Sequence, residues 1–205
     1  MNVLEARSLT VSRGEVKLFR DLSFGVTAGE WLAVRGPNGS GKTTLLRCVA
    51  GLTRPDGGDV LWNGELATRN AARFHADLFH AGHLAAIKDD LSAEENLKSA
   101  LALRGIDAGA DAILATLGEV GLEKRRHLPA RRLSAGQRRR IGLARVMLDP
   151  APLWTLDEPL TALDDAGQRL FNSLLARHLS RGGLAVIATH HELDAPAPRE
   201  LRMGA

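Results

Sequence analysis

The chain has 205 residues, 44% of them hydrophobic and 25% charged, enough for one large domain, or a domain with a subdomain, around a sizeable core. The formal charge of +3 fits a nucleotide, nucleic acid or anionic membrane surface without choosing among them. The single cysteine, Cys48, excludes an intrachain disulfide framework or thiolate cluster. The opening MNVLEARSLT is no secretory signal, and no stretch nears the ~18 apolar residues of a membrane span, so work at a membrane would need another chain as anchor.

In chain order, residues 3–34 alternate in strand fashion, with VLEARSLTV, then LSFGVT, then WLAVRG. WLAV is a short apolar run ending at glycine, which suits a buried strand. KTTLLRCVAGL reads as a helix closed by Gly51. VLWNGEL (60–66) holds an Asn-Gly pair between apolar residues, a hairpin signal. Residues 84–133 change character. Ser92 with Glu95 three positions on forms a capping box before one helix, GIDAGAD is a flexible connection, and DAILATLGEVGL is a second helix. From 134 a helix runs to about 148. The strand PLWTL follows, then a helix over about 163–180, then the apolar strand GLAVIAT. Helices alternating with apolar strands imply a mostly parallel sheet covered on both faces. The predicted fold is therefore α/β. Residues 1–83 and 134–205 form the core with an antiparallel β part, and 84–133 form an inserted helical subdomain.

GPNGSGKT (36–43) satisfies G-x-x-x-x-G-K-[ST] between a buried strand and a helix. Gly36, Gly39 and Gly41 let the backbone wrap an anion, Lys42 reaches the β- and γ-phosphates, and Thr43 offers a hydroxyl to Mg²⁺. Pro37, Asn38, Ser40 and Thr44 complete the expected nucleotide-binding stretch. The strand in APLWTLDEP ends in Asp157, placed to hold the metal, and Glu158, placed as general base for an attacking water. GLAVIATH ends in His190, placed to contact the γ-phosphate and position that water, with His191 a bystander. The catalytic set is Glu158, His190 and Lys42, with ATP and Mg²⁺ as cofactors. LSAGQRRR (133–140) puts Ser134 at a helix N-cap, a second anion-binding end. Arg138, Arg139 and Arg140 read as a solvated helix face rather than a nucleic-acid site. His80 and His83 are two imidazoles with no third metal ligand in view.

The order of these motifs, with LTALD at 160–164 after the Asp-Glu strand, resembles the ATP-binding cassette ATPases across nearly the whole chain. The resemblance implies that Ser134, Ala135, Gly136 and Gln137 grip the nucleotide of an opposite subunit, so that two copies pack head to tail around two ATP molecules. It further implies that Asp164 communicates between the two sites. Two positions depart from the family pattern. Arg13 stands where an aromatic residue usually faces adenine; it can stack as a planar cation. Leu84, preceded by His83, stands where a Gln usually senses the membrane partner.

GEW at 29–31, RPDGGDVLWNGE at 54–65 and GHLAAIKDDLSAEENL at 82–97 resemble the ATP-binding subunits of cytochrome c maturation systems, the haem exporter or CcmA type. That resemblance implies a peripheral protein on the cytoplasmic face of a bacterial inner membrane. It would work with integral membrane subunits in haem export or in release of a haem-loaded chaperone. Direct haem binding is not expected, since there is no C-x-x-C-H, and nucleic acid is not expected, since the chain has one cassette and an insert of only about fifty residues. The rival readings are an ATPase of another transporter, a soluble cassette ATPase acting on nucleic acid, and a P-loop kinase. The last leaves LSAGQ and His190 without work.

Overall fold

The structure is a computed structural model that describes residues 2–82 and 86–204. His83 and Leu84, the expected partner-coupling pair, lie outside the described residues. The chain divides into two compact units: residues 1–83, 151–159 and 175–205, and residues 84–150 and 160–174.

The first unit holds two sheets. β1 (Val3–Arg13), β2 (Val16–Thr27), β4 (Gly57–Trp62) and β5 (Glu65–Leu66) form an antiparallel sheet in the order β2-β1-β4-β5. The Asn-Gly signal is its β4–β5 turn. Asn63 and Gly64 both have positive φ, the backbone a tight hairpin with the right twist needs, and Asn63 Oδ1 accepts the Val3 N–H. The other sheet runs β6 (Leu78–Ala81), β7 (Leu153–Asp157), β8 (Leu184–Ala188), β3 (Trp31–Arg35), β9 (Arg199–Arg202), and every pairing in it is parallel. β7 and β8 are buried along their whole length, as the apolar runs LWTLD and LAVIA require of strands covered on both sides. Helix α1 (Lys42–Val49) buries Leu45, Leu46, Cys48 and Val49. One core joins Leu4, Leu9 and Val26 of the antiparallel sheet, Leu45, Leu46 and Val49 of α1, and Val34, Leu153 and Val186 of the parallel sheet.

Three elements of this unit carried no sequence expectation: α2 (Ala71–Ala76), β6 and β9. β6 shows only Leu78 and Phe79 as a signal. β9 reads RELR and is mostly exposed, because an edge strand needs no apolar run.

In the second unit, α3 (Ala93–Leu103) and α4 (Gly109–Glu119) both pack on α5 (Ala135–Leu148). α5 therefore groups with the helical insert. The Ser92–Glu95 capping box forms as expected. Asn96, buried just behind it, donates to the carbonyls of Lys88, Leu91 and Ser92 and accepts the Lys88 N–H, which fixes the segment leading into α3. Arg104 closes on the buried carboxylate of Asp149 and ties the end of α3 to the end of α5. Helix α6 (Asp165–Ser180) continues from this unit into the first. No helix among the described residues is long and apolar enough to cross a membrane.

Candidate functional site

β3, β7 and β8 are consecutive in the parallel sheet, so their C-terminal ends open on one edge. In such sheets ligands sit at that edge. The register pairs Val34 with Ala188 and Asp157 with Ala188, and so brings three loops together: 36–41 after β3, Asp157-Glu158 after β7, and Thr189-His190-His191 after β8.

The first loop is shaped by backbone that only glycine adopts freely. Gly36, Gly39 and Gly41 have φ of 149°, 83° and 96°. A Cβ on Gly36 would stand 2.5 Å from the Met203 carbonyl oxygen and 2.8 Å from Ser40 Oγ. Ser40 Oγ is itself buried without a hydrogen-bond partner among the described residues. Lys42 Nζ arches back over the loop and donates to the carbonyls of Gly36 and Pro37 at 2.7 and 3.0 Å. Gly41 caps α1 with no side-chain hydrogen bond and the first turn holds no acid, so the free N–H groups and the positive dipole end stay available to an anion. Gly41 also faces Leu18 and Phe19, so the start of β2 runs beside the loop; Arg13 sits at the other side of the β1–β2 turn, paired with Val16.

Thr43 Oγ1 donates to Asp157 Oδ2 at 2.6 Å, and Asp157 is buried. A hydroxyl and a carboxylate held together give the hard oxygen donors that suit Mg²⁺, so these residues fit that ion. Glu158 has φ of 49°, a left-handed backbone costing an ordinary residue ~1–2 kcal/mol, and its N–H is tied to the Ala188 carbonyl. This turn aims the Glu158 carboxylate at His190, whose Nδ1 lies 2.9 Å from Oε2. His191 stands beside it, the two imidazole centroids 4.1 Å apart. His80 is engaged otherwise. Its Nδ1 is 2.8 Å from Thr155 Oγ1, and burial lowers its pKa. A His80–His83 metal pair lacks that nitrogen, and His83 is outside the described residues.

The remaining candidates lie in the second unit. Ser134 and Gln137 form a reciprocal capping box at the start of α5: Ser134 Oγ accepts the Gln137 N–H and Gln137 Oε1 accepts the Ser134 N–H. The Gln137 side chain is thus occupied by its own helix end. The N–H groups of Ala135 and Gly136 remain in the first turn, which carries no acid. A Cβ on Gly136 would come within 3.3 Å of the Ala162 carbonyl, so this turn lies against the LTALD loop. Asp164 in that loop accepts the Gly167 N–H, and its two oxygens share Arg140 Nη2 at 2.8 and 2.7 Å. Those bonds hold its carboxyl below the usual range. Arg140 is therefore not a solvated residue, as the run of arginines suggests: it also donates to the Val120 carbonyl, while Arg138 turns to Asp89. Successive positions on a helix point ~100° apart, which separates the roles of adjacent arginines.

Residues 19–161 match the ABC transporter family. The chain is 47% identical over 193 residues to the cytochrome c biogenesis ATP-binding export protein CcmA of Nitrosomonas europaea, covering 94% of this chain and 91% of that one. It is 46% identical over 203 residues to the protein of that name from Pseudomonas aeruginosa, covering 99% and 100%. The chain belongs to the ABC transporter family. A solved putative ABC transporter ATP-binding protein from Pyrococcus furiosus superposes with a TM-score of 0.85 at 26% identity, over 98% of this chain and 97% of that one. The α/β fold with its phosphate loop is that of an ABC ATPase, and nucleotide binding comes with it. Sequence reasoning passed over two features of this ABC ATPase: the Arg140–Asp164 clamp, whose partners lie 24 residues apart, and the close approach of His191 to Glu158 and His190.

Proposed function

We propose that this chain is the ATP-hydrolysing subunit of a transporter serving cytochrome c biogenesis, in haem export or release of a haem-loaded chaperone. Near-full-length identity to proteins named for that process supports the reading. The subunit works peripherally on the cytoplasmic face of a bacterial inner membrane. It drives integral membrane subunits through residues 84–133, with His83 and Leu84 as the coupling loop.

One observation carries the catalytic assignment: the Glu158 carboxylate lies 2.9 Å from His190 Nδ1, one residue beyond the Thr43–Asp157 pair. The loop amides of residues 36–44 and the Lys42 ammonium hold the β- and γ-phosphates, and Arg13 stacks on the base. Mg²⁺ held by Thr43 and Asp157 supplies positive charge against the phosphate oxygens. Glu158 accepts the proton of the attacking water, and His190 holds that carboxylate and the water in line. The open first-turn amides of Ala135 and Gly136, with Ser134, Gln137 and Asp164, complete the site of a second copy packed head to tail. ATP joins the two copies, and loss of the γ-phosphate releases them.

Replacing Glu158 with Gln tests this reading. ATP binding persists, turnover falls by about a hundredfold or more, and a nucleotide-bound dimer accumulates in size-exclusion chromatography with light scattering. Undiminished turnover, or a variant that stays monomeric with ATP, overturns it.

A further inference from the structure

We propose that Glu158, His190 and His191 form a binding site for a borderline divalent metal ion of the Zn²⁺ class, and that filling it stops ATP hydrolysis. The binding half stands on geometry alone; the inhibitory half rests on Glu158 being the catalytic base.

One carboxylate oxygen and one nitrogen from each imidazole lie within 4.8 Å of one another. Around a tetrahedral zinc with bonds of about 2.0–2.1 Å, ligand atoms sit roughly 3.3 Å apart. The Glu158–His190 edge, at 2.9 Å, has to open by only about 0.4 Å to reach that span. The remaining edges close by side-chain rotation. His190 is 68% exposed and so has room to adjust, although its Nδ1 already meets Glu158 and its ring lies against His191. The backbone beneath is held: His191 N–H donates to Thr189 Oγ1 at 3.0 Å, its carbonyl accepts Arg35 Nη1 at 3.3 Å, and Glu158 N–H is tied to Ala188. Three ligands stand on two loops whose backbone is anchored at neighbouring strand ends, and a tetrahedral ion held by them keeps a fourth position open.

The donor chemistry separates this ion from magnesium. Two imidazoles and one carboxylate favour Zn²⁺, Ni²⁺ or Cu²⁺, while Mg²⁺ prefers the oxygen pair of Thr43 and Asp157. The new site therefore fills in the presence of excess Mg²⁺. A bound ion takes the Glu158 lone pair that would accept the proton of water and the His190 nitrogen that orients it. No bond in ATP is made or broken by the ion. His191, which the ATPase reaction does not use, acquires a role as the third ligand.

The test titrates Zn²⁺ into the nucleotide-free full chain by competition with a fluorescent chelator. In parallel it measures Zn²⁺ inhibition at saturating Mg²⁺ and ATP, with each variant normalised to its own zinc-free rate. One ion per chain is expected, with affinity lowered at least about tenfold in His191→Ala and recovered in His191→Cys, since thiolate is also a zinc ligand. Inhibition follows the same order. Unchanged affinity in His191→Ala, or no recovery in His191→Cys with an unaltered melting profile, overturns the site. Site-specific binding without inhibition overturns the inhibitory half. Binding needs no turnover, so a failed site is distinguished from a failed base assignment, which Glu158→Gln reports independently.

Discussion

His178 makes stability depend on pH in a direction and size that can be worked out. Its ring stacks on Trp154 with centroids 3.7 Å apart and planes 12° from parallel, and its Nε2 lies 3.2 Å from the Leu184 carbonyl. A Cβ on Gly183 would come within 2.3 Å of the ring, so the imidazole fills its slot. Burial pushes its pKa from the ordinary 6.5 down to about 4. The unfolded chain takes up a proton near 6.5, and the folded chain declines it until about 4. Between those values the unfolded state binds more protons, so stability falls as pH falls through that window. It is complete above 6.5 and levels off below 4. The difference amounts to roughly 3 kcal/mol as an upper bound, less for the part of the ring that water reaches. Urea unfolding of the protein and of His178→Phe, across pH 7.5 to 4, isolates this group, because carboxylates and other histidines titrate equally in both. The substitution keeps a stacked ring and loses the Leu184 hydrogen bond at every pH, so only the pH-dependent part of the difference counts. The stability of the wild type relative to that of the variant should fall as pH drops from 7.5 to 4. Parallel curves refute the reasoning.

Two further outcomes concern nucleotide binding. Lys42→Ala should weaken ATP at least about tenfold in equilibrium titration, the loss of a charge-assisted phosphate contact worth ~1.5–3 kcal/mol; unchanged affinity removes the phosphate role. Arg13→Trp should tighten binding of a fluorescent ATP analogue roughly fivefold, since a planar ring gains ~1 kcal/mol or more on stacking with a base. Weaker binding places adenine elsewhere than the β1–β2 turn.

Most of the first unit was legible because its signals are local. Glycines at 36, 39 and 41 meet backbone angles that other residues resist, and β7 and β8 are uninterrupted apolar runs. Asn63-Gly64 names its own turn. What stayed hidden depends on neighbours distant in sequence. β9 becomes a strand because β3 offers an edge, not because RELR prefers one. Arg140 differs from Arg138 only in what its side of α5 meets, Asp164 in one case and Asp89 in the other. Gln137 lies inside LSAGQ, and three residues after Ser134 it also fits a capping box. The structure puts its side chain on its own helix end. His191 looked idle beside His190, and only the register of β7 with β8 sets both near Glu158.

The central claim is that each catalytic centre combines the phosphate loop of one copy with the Ser134 helix end of another. Mixing Lys42→Ala protein with Ser134→Arg protein tests it directly. Each variant alone should be inactive. Random pairing makes half the dimers mixed, each with one intact centre of two, so the account predicts about a quarter of the wild-type ATPase rate. A mixture no more active than its separate components contradicts it.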